Sequence, residues 1–355
     1  MQVTGLWHFP FPAVYTREEV EVNIREIARR ARVSHSTVSR VINQVKTVDP
    51  RLARRVQAVI EEVGYRPNFQ ARALARGRSH TIGLIVSELS GGNPFFSEIM
   101  LYFERAAVQQ GYEVLVSFAD AETYPDHVAV CAARMQERQV EGLAVLTFGM
   151  EEQLAKCAID VPMVYAGADH DLPGVRNVRI NYLPGFRDAI RHLAEFGHER
   201  IGYLSGQLSW SSMKTRFDAV RKAMKTSGIA FEKDLVAECD HTWNGGASGM
   251  SVLLNLPKPP TAVLCCNDVA AVGALKTLAG HGMHAGKDIA LVGFDDLTLC
   301  QFTQPALTTI QFSPREIAAL SFQALIEEIQ SAKEKTNFEY KTRFILREST
   351  CAPRA

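Results

Sequence analysis

Three short segments near the start of the chain carry apolar residues at the spacing of an α-helix. In the first, NIREIARRA, one face collects Ile24, Ile27, Ala28 and Ala31. The third, DPRLARRVQAVIEEVG, offers Asp49 as an N-cap, Pro50 as the first helical residue and Gly64 as the stop. We therefore predict three helices, of which the first two, joined by a short turn, form a helix-turn-helix.

The second segment, VSHSTVSRVIN, separates into two unlike faces. Its apolar stripe consists of Val38, Val41 and Ile42, and Ser34 precedes it as a candidate N-cap. The outer face has no carboxylate and consists of His35, Ser36, Thr37, Ser39, Arg40 and Asn43. Such a face suits an anionic partner with base edges to read, although an ordinary helix of a small bundle remains the alternative.

From Thr81 the hydrophobic pattern changes to short apolar runs that alternate with longer helical patterns. The runs IGLIV, YEVLVSF and GLAVLTF form one series, and a second series restarts with RIGYLSG, TAVLCCND and IALVGFDD. This repetition predicts an α/β body of two doubly wound, parallel-sheet subdomains. Ligands of such folds bind beyond the carboxyl ends of the strands.

The distribution of charge along the chain indicates that its two regions have different functions. The chain has 355 residues, 46% of them apolar and 22% charged, which is typical of two or three globular domains. Its net charge is zero, but residues 22–78 hold 13 Lys and Arg against 4 Asp and Glu, a local net of +9. A basic head on an acidic body is the electrostatic footprint of a nucleic-acid-binding module joined to a second domain.

Several classes of protein are disfavoured by what the sequence lacks. The seven cysteines show no metal-binding spacing and are expected to be free thiols in a reducing, cytoplasmic environment. No apolar run is long enough to cross a membrane. Because no GxGxxG follows a strand and no P-loop, GxSxG or HExxH occurs, we expect neither an enzyme nor a cofactor or metal.

Polar and aromatic residues collect where the predicted strands end. They are Ser87, the NPFF segment at 93–96, Ser212 and Arg216 in SWSSMKTRF, Asn267, Asp268, Asp295 and Asp296. Together they predict a cleft for a small polyhydroxylated ligand. Each also has a structural alternative: the Asn–Asp pair caps a helix, the arginine pairs with a surface acid, and the phenylalanines belong to the core.

These motifs, in this order, resemble the LacI/GalR family of bacterial transcription regulators from about Val22 to Pro353. The resemblance is carried by IREIARRARVSHSTVSRVIN, VGYRPNFQARALARGRSHTIGLIV, NPFF, FGHERIGYLSG, CNDVAAVGAL, VGFDDL, LTTI and LREST. It implies a repressor that binds operator DNA as a homodimer. Its two-lobed body, of periplasmic-binding-protein type, would bind a small effector, a carbohydrate or derivative, between the lobes.

The resemblance also assigns roles to single residues. His35 and Ser36 would read bases, Arg40 would reach a base edge or phosphate, and the backbone contacts would be Thr37, Ser39, Asn43 and Asn68. Ala71 and Leu74 match the hinge helix, whose leucine would wedge into the minor groove. The effector contacts would be Phe95, Phe96, Ser212, Arg216, Trp243, Asn267 and Asp295.

The chain departs from the family pattern at three places. Arg32 stands where the turn usually has glycine, so we expect a tolerated left-handed residue that costs about 1 kcal/mol. Asn181 replaces an expected aspartate, which leaves the effector open. No heptad-bearing tail follows LREST, so a dimer is expected.

The predicted boundaries follow from these motifs. Residues 1–21 form a flexible extension, 22–67 the DNA-binding head, 68–80 the hinge and 81–350 the body. The first lobe takes 81–180 and 312–335, and the second takes 181–311 and 336–350. An effector-binding protein whose head only mediates assembly, and an enzyme on a doubly wound fold, are the rival functions; the basic head argues against the first and the missing motifs against the second.

Overall fold

A computed structural model describes residues 24–42, 47–65, 78–87, 93–120, 126–147, 151–157, 159–167, 172–331 and 338–353. The chain divides into two compact units between Ser79 and His80. Most of the predicted hinge, residues 68–77, and the N-terminal extension lie outside the described residues. None of the helices in the described ranges combines the length and the apolar character needed to cross a bilayer.

The first unit contains the three predicted helices, α1 (Ile24–Ala31), α2 (His35–Ile42) and α3 (Pro50–Val63). Their small core is Ile27, Ala28, Ala31, Val38, Val56 and Val59. The Asp49 carboxylate accepts from the Arg51 amide at 2.8 Å, and Gly64 ends α3 at a φ of 61°. The predicted caps and stop are therefore confirmed.

The turn between α1 and α2 has the strained residue that its sequence predicts. Arg32 adopts a φ of 49°, which L side chains reach only at a cost. The Arg55 guanidinium on α3 donates to the Arg32 carbonyl at 3.2 Å and so ties the turn to the third helix. Ser34 then caps α2, because its Oγ accepts from the Thr37 amide at 3.1 Å.

The second unit is the predicted α/β body with two sheets. Its strands are β1 (Thr81–Ser87), β2 (Glu113–Ala119), β3 (Leu143–Leu146), β4 (Met163–Ala166), β5 (Arg176–Asn181), β6 (Ile201–Ser205), β7 (Val236–Glu238), β8 (Ala262–Cys265), β9 (Ala290–Asp295), β10 (Thr309–Gln311), β11 (Phe338–Lys341) and β12 (Arg343–Ile345). Its helices are α4 (Pro94–Gln109), α5 (His127–Glu137), α6 (Glu151–Ala155), α7 (Leu183–Glu195), α8 (Ser211–Thr226), α9 (Trp243–Leu254), α10 (Asp268–Gly280) and α11 (Pro314–Ile329).

Each lobe is built on one six-stranded sheet. The first sheet has the order β11-β5-β4-β3-β1-β2 and the second has β12-β10-β9-β8-β6-β7. Neighbours are parallel except β10 and β12, which are antiparallel. This confirms the predicted fold class.

One predicted lobe boundary is wrong. Residues 336–350 were expected wholly in the second lobe, but β11 pairs in parallel with β5, so Phe338–Lys341 belong to the first sheet. The reason is a crossing of the chain at Thr342, between β11 and β12. The alternation of apolar Phe338 and Tyr340 predicts a half-buried strand but does not say which sheet receives it.

The lobes are joined where the chain crosses between them, after β5, after β10 and after β11. Two crossings lie side by side, because the Thr342 amide donates to the Asn181 carbonyl at 3.1 Å. Gly185 is required beside them, since an added Cβ would lie 2.4 Å from the Ile310 methyl group. Aromatic rings fill the centre, with Phe312 5.7 Å from Phe294 of the second lobe.

Candidate functional site: a DNA-reading helix and an interlobe cleft

The outer face of α2 presents the residues that the sequence singled out in the head. His35, Ser36 and Arg40 are exposed, and Thr37 and Ser39 are half-buried. Val38 is fully buried and anchors the helix to the core. The other predicted DNA contacts, namely Asn43, Asn68, Ala71 and Leu74, lie outside the described residues.

In the body, a cavity lies between the lobes beyond the carboxyl ends of the strands. It is lined by Asn93, Phe95, Phe96, Trp210, Met213, Arg216, His241, Asn267 and Asp295. Five of the seven predicted effector contacts thus meet there. The cavity volume is about 20 Å³, which is room for one water-sized group.

The wall from the first lobe is the start of α4. The Asn93 side chain caps this helix by accepting from the Phe95 amide at 3.0 Å, and Pro94 takes the first helical position. The two phenylalanine rings meet edge to face at 5.3 Å. Phe95 also stacks on Phe312 at 5.1 Å, so the wall is continuous with the rings at the lobe crossing.

Arg216 is the central cation of the second-lobe wall. Its side chain projects from α8 and only 2% of the residue is exposed, so pairing with a surface acid is ruled out. Nη1 donates to the Cys266 carbonyl at 3.0 Å, and the guanidinium carbon lies 4.2 Å from the Phe294 ring centroid. A carbonyl and an aromatic face fix the planar fork, and a guanidinium is a group that suits an oxygen-rich ligand.

Asn267 combines the structural and the functional role that the sequence left open. Its Oδ1 caps α10 by accepting from the Ala270 amide at 2.7 Å, while Nδ2 donates to the His241 carbonyl at 3.0 Å. A side-chain amide has two donors and two acceptor lone pairs. One donor and one acceptor site therefore remain for a ligand.

Asp295 ends β9 and is 3% exposed. Its pKa is raised well above the ordinary range, chiefly by burial and then by Asp268, while Arg216 opposes the rise. Burial also raises the pKa of Asp268 to about 6, against a hydrogen bond of 2.6 Å from the Thr309 hydroxyl. Asp268 is the first residue of α10 and not its cap. Its Oδ2 accepts from the Leu297 amide at 2.8 Å and so holds the turn after β9.

The sequence did not single out Trp210, Met213 and His241 for the cleft. The indole of Trp210 stacks on the imidazole of His241 at 5.1 Å and 9°, and the imidazole Nε2 lies 3.2 Å from the Met213 sulfur. Burial, followed by the charge of Arg216, lowers the pKa of His241 to about 4, so this ring is neutral at pH 7. Trp210 could have been found, because it adjoins the SSMKTRF segment, whereas β7, which leads to His241, is a strand of three residues.

Two predicted effector contacts lie away from the cavity. Ser212 is 2% exposed in the first turn of α8, and its buried Oγ has no hydrogen-bond partner in the described residues. Trp243 is the first residue of α9, because Thr242 caps this helix through the Gly245 amide at 3.0 Å, and it does not line the cavity. Its contact with an effector stays a prediction. Its ring borders a separate depression with Ala247, Val272 and Lys276.

A helix-turn-helix unit carried on the same chain as a two-lobed, cleft-bearing α/β body defines a class of DNA-binding regulators. Residues 23–68 match the sequence model of bacterial regulatory proteins of the lacI family. Residues 190–350 match that of periplasmic binding protein-like domains.

Whole proteins support the same assignment. The HTH-type transcriptional repressor CytR of Escherichia coli K12 is 31% identical over 316 residues, 88% of this chain and 92% of the relative. The ribose operon repressor of the same strain is 32% identical over 312 residues, 86% and 92% of the two chains. A lac repressor dimer bound to operator and the anti-inducer ONPF has a TM-score of 0.86 at 28% identity, covering 93% of this chain and 99% of that one.

The chain belongs to the LacI family of bacterial regulatory proteins. It is a DNA-binding transcription regulator with a periplasmic-binding-protein-like body, as the resemblance of its motifs predicts.

Proposed function

We propose that this regulator is a repressor whose operator affinity is set by a small, sugar-like effector bound between the lobes. The observation that carries the proposal is the interlobe cavity. There, buried Arg216, Asn267 and Asp295 of the second lobe face Phe95 and Phe96 of the first. A ligand that bridges both walls favours one angle between the lobes, and this differential binding is what couples an effector to a second site.

The chemistry of the walls favours a polyol with an apolar face. A guanidinium, an amide and a carboxyl group can each bond ring hydroxyls, while the rings of Phe95 and Phe96 cover C–H groups. Since the cavity has only about 20 Å³, a sugar enters only when the lobes move apart. Effector binding would therefore be linked directly to the lobe angle.

On DNA, a homodimer would place α2 of each head in the major groove. His35 and Ser36 open the exposed face and would read bases, and Arg40 would take a guanine edge or a phosphate. The contacts to the sugar–phosphate backbone of the DNA would come from Thr37, Ser39, Asn43 and Asn68. Ala71 and Leu74 would form the hinge-helix face that enters the minor groove.

We also propose that the protein acts in the cytoplasm and is not an enzyme. All seven cysteines are free, five of them buried, as suits a reducing compartment. No cluster of three metal-ligating side chains occurs in the described part of the chain. We assign the one carboxyl group of the cavity lining, that of Asp295, to ligand binding.

The test combines operator binding with a ligand screen. An operator selected from random duplexes should bind with pseudo-palindromic symmetry. Its affinity should fall about a thousandfold between 50 and 200 mM salt if roughly six phosphates are neutralised. Exchange of His35 and Ser36 should change the selected bases, whereas Arg54→Ala on α3 should leave them unchanged and serves as the control.

The effector arm uses a thermal-shift screen of free sugars, D-ribose included, on the full chain. A stabilising sugar should alter operator affinity by about 5- to 150-fold, the usual range of allosteric coupling. Operator binding that hardly responds to salt, or a stabilising sugar without effect on the operator, would contradict the proposal.

A further inference from the structure

The turn that ends β9 holds two consecutive residues in the left-handed region. Asp295 has a φ of 122° and Asp296 a φ of 62°, and they are the only adjacent pair of non-glycine residues with positive φ in the described ranges. L side chains keep such conformations only where their surroundings hold them, and such residues collect at functional sites. The first of the two residues, Asp295, carries the carboxyl group that lines the cleft.

The side chains of Arg347 and Gln311 hold Asp296 and lie outside the cleft. Arg347 Nη2 lies 2.5 Å from Asp296 Oδ1, and Gln311 Nε2 donates to Oδ2 at 2.8 Å. Arg347 is itself anchored, because Nη1 donates to the Leu307 carbonyl at 2.9 Å. Both partners of the ion pair are largely buried, with 15% and 13% of their side chains exposed.

The main chain of the turn is tied to the lobe crossing. The Phe312 amide donates to the Asp295 carbonyl at 3.1 Å, and Phe312 is the first residue after β10. On the other side, Asp268 accepts from the Leu297 amide. The main chain of Asp295 is therefore linked directly to the crossing at Phe312.

We propose that Arg347 and Gln311 are positioning residues that hold the Asp295 carboxyl group toward the cleft by clamping Asp296 in its left-handed conformation. The inference rests on the proposed function of the cleft, in which Asp295 contacts the effector. Neither residue lines the cavity, so both act through Asp296. Because Gln311 ends β10, the same clamp joins the ligand-facing carboxyl group to the angle between the lobes.

A glycine at position 296 distinguishes two possible roles of Arg347, namely holding Asp296 in its conformation and packing against its own surroundings. Glycine adopts a φ near 62° without steric cost, so Asp296→Gly removes both the strain and the need for the clamp. If Arg347 acts by holding Asp296, its loss matters with aspartate at 296 and is nearly silent with glycine there. If Arg347 acts by supporting Leu307 or its own segment, its loss has the same effect in both backgrounds.

The experiment is amide hydrogen exchange of the full chain, which needs no ligand. Arg347→Met should speed exchange of the Phe312 amide and of residues 295–297 by at least about tenfold, while residues 201–205 of β6 stay unchanged. Gln311→Leu should give a smaller increase at the same amides. The matched control is Arg343→Met, because Arg343 lies on neighbouring β12 and pairs with exposed Glu316.

The decisive arm is Arg347→Met in the Asp296→Gly background, where exchange should change less than about twofold. Equal acceleration in both backgrounds, or faster exchange throughout the second lobe, would overturn the proposal. If Arg347→Met does not fold, Gln311→Leu with and without Asp296→Gly makes the same comparison. Since no ligand is used, an effector found to bind elsewhere would defeat the proposed function and leave this result intact.

Discussion

The two walls of the cleft are built by opposite means. The first-lobe wall consists of two phenylalanine rings at the start of one helix, and its polar residue, Asn93, is engaged as the helix cap. The second-lobe wall brings Arg216, Asn267 and Asp295 from three different elements. The polar contacts of such a site come from one lobe, whereas its apolar contact area comes from the first-lobe rings together with Trp210 and Met213 of the second lobe.

The difference has an energetic origin. Burial of an aromatic ring stabilises the folded protein, whereas a buried guanidinium or carboxyl group loses its hydration, and other contacts must compensate for that loss. Arg216 is compensated by the Cys266 carbonyl and by three aromatic rings, at 4.2 to 5.4 Å from its guanidinium carbon. Changes in the second wall should therefore have the larger effects.

Arg216→Ala should have the largest effect on the effector response. It removes the charged donor at the centre of the second wall, a loss of about 3 kcal/mol or roughly a hundredfold in the effector response. Operator binding without effector should be unchanged, because the head is a separate compact unit. Titration of operator with and without a ligand from the screen measures both.

Arg221→Ala provides the control for that variant, since Arg221 lies on the same helix but is exposed and pairs with Asp218. A fully responsive Arg216→Ala protein would place the effector elsewhere. Loss of operator binding in the absence of ligand would make Arg216 a structural residue.

The second wall should also govern the pH dependence of stability through two opposing groups. Asp268 has a folded pKa of about 6, above its ordinary 3.8, so its contribution is present at low pH and is lost as pH rises through 6. His241 has a folded pKa of about 4, below its ordinary 6.5, so its contribution is present above 6.5 and is lost as pH falls through 4. Each amounts to about 3 kcal/mol, and between pH 4 and 6.5 the two act in opposite directions. The raised pKa of Asp295 acts in the same direction as that of Asp268.

Single variants separate the two contributions. Relative to the wild-type protein, the free energy of unfolding between pH 4 and pH 7 should fall by about 3 kcal/mol more in His241→Gln and by about 3 kcal/mol less in Asp268→Asn. Urea denaturation at four pH values measures both slopes. Slopes that match the wild-type protein in both variants would mean that neither group titrates as its burial implies.

The two walls also differ in how far the sequence predicted them. CND follows β8 directly, GFDD contains the end of β9, and NPFF comes after the end of β1. The rule that ligands bind at the carboxyl ends of parallel strands therefore places Phe95, Asn267 and Asp295 in one cleft, as the cavity lining has them. The helical head, its caps and the left-handed Arg32 also follow from local signals, because each depends on neighbours within a few residues.

What the sequence did not predict depends on contacts between distant segments. Trp210 and His241 face each other across 31 positions of the chain, and no local pattern links them. Trp243, the first residue of α9, lies beside a separate depression and not in the lining of the cavity. The pairing of β11 with β5 is another such contact, because the sequence of a four-residue strand does not indicate which of the two sheets it joins.

Phe96→Leu tests the first wall and should have a moderate effect. The exchange keeps an apolar side chain but loses the flat ring, which we expect to weaken the effector response by about 1 kcal/mol, or several-fold. Phe103→Leu on the same helix is the control, because Phe103 is fully buried in the core and does not line the cavity. It should lower thermal stability without changing the effector response. An effect of Phe96→Leu as large as that of Arg216→Ala would remove the distinction between the walls.

Trp243→Phe should have the smallest effect, because this ring belongs to neither wall. The indole is 38% exposed at the start of α9, whereas the indole of Trp210 lines the cavity against His241. Trp243→Phe should therefore change the effector response less than about twofold, and Trp210→Phe should weaken it several-fold by removing stacked area beside the ligand. Operator titrations with and without effector compare the two variants directly. A lost response in Trp243→Phe would show that the start of α9 turns its ring into the cleft when ligand binds, and the second wall would then include an aromatic face from this helix.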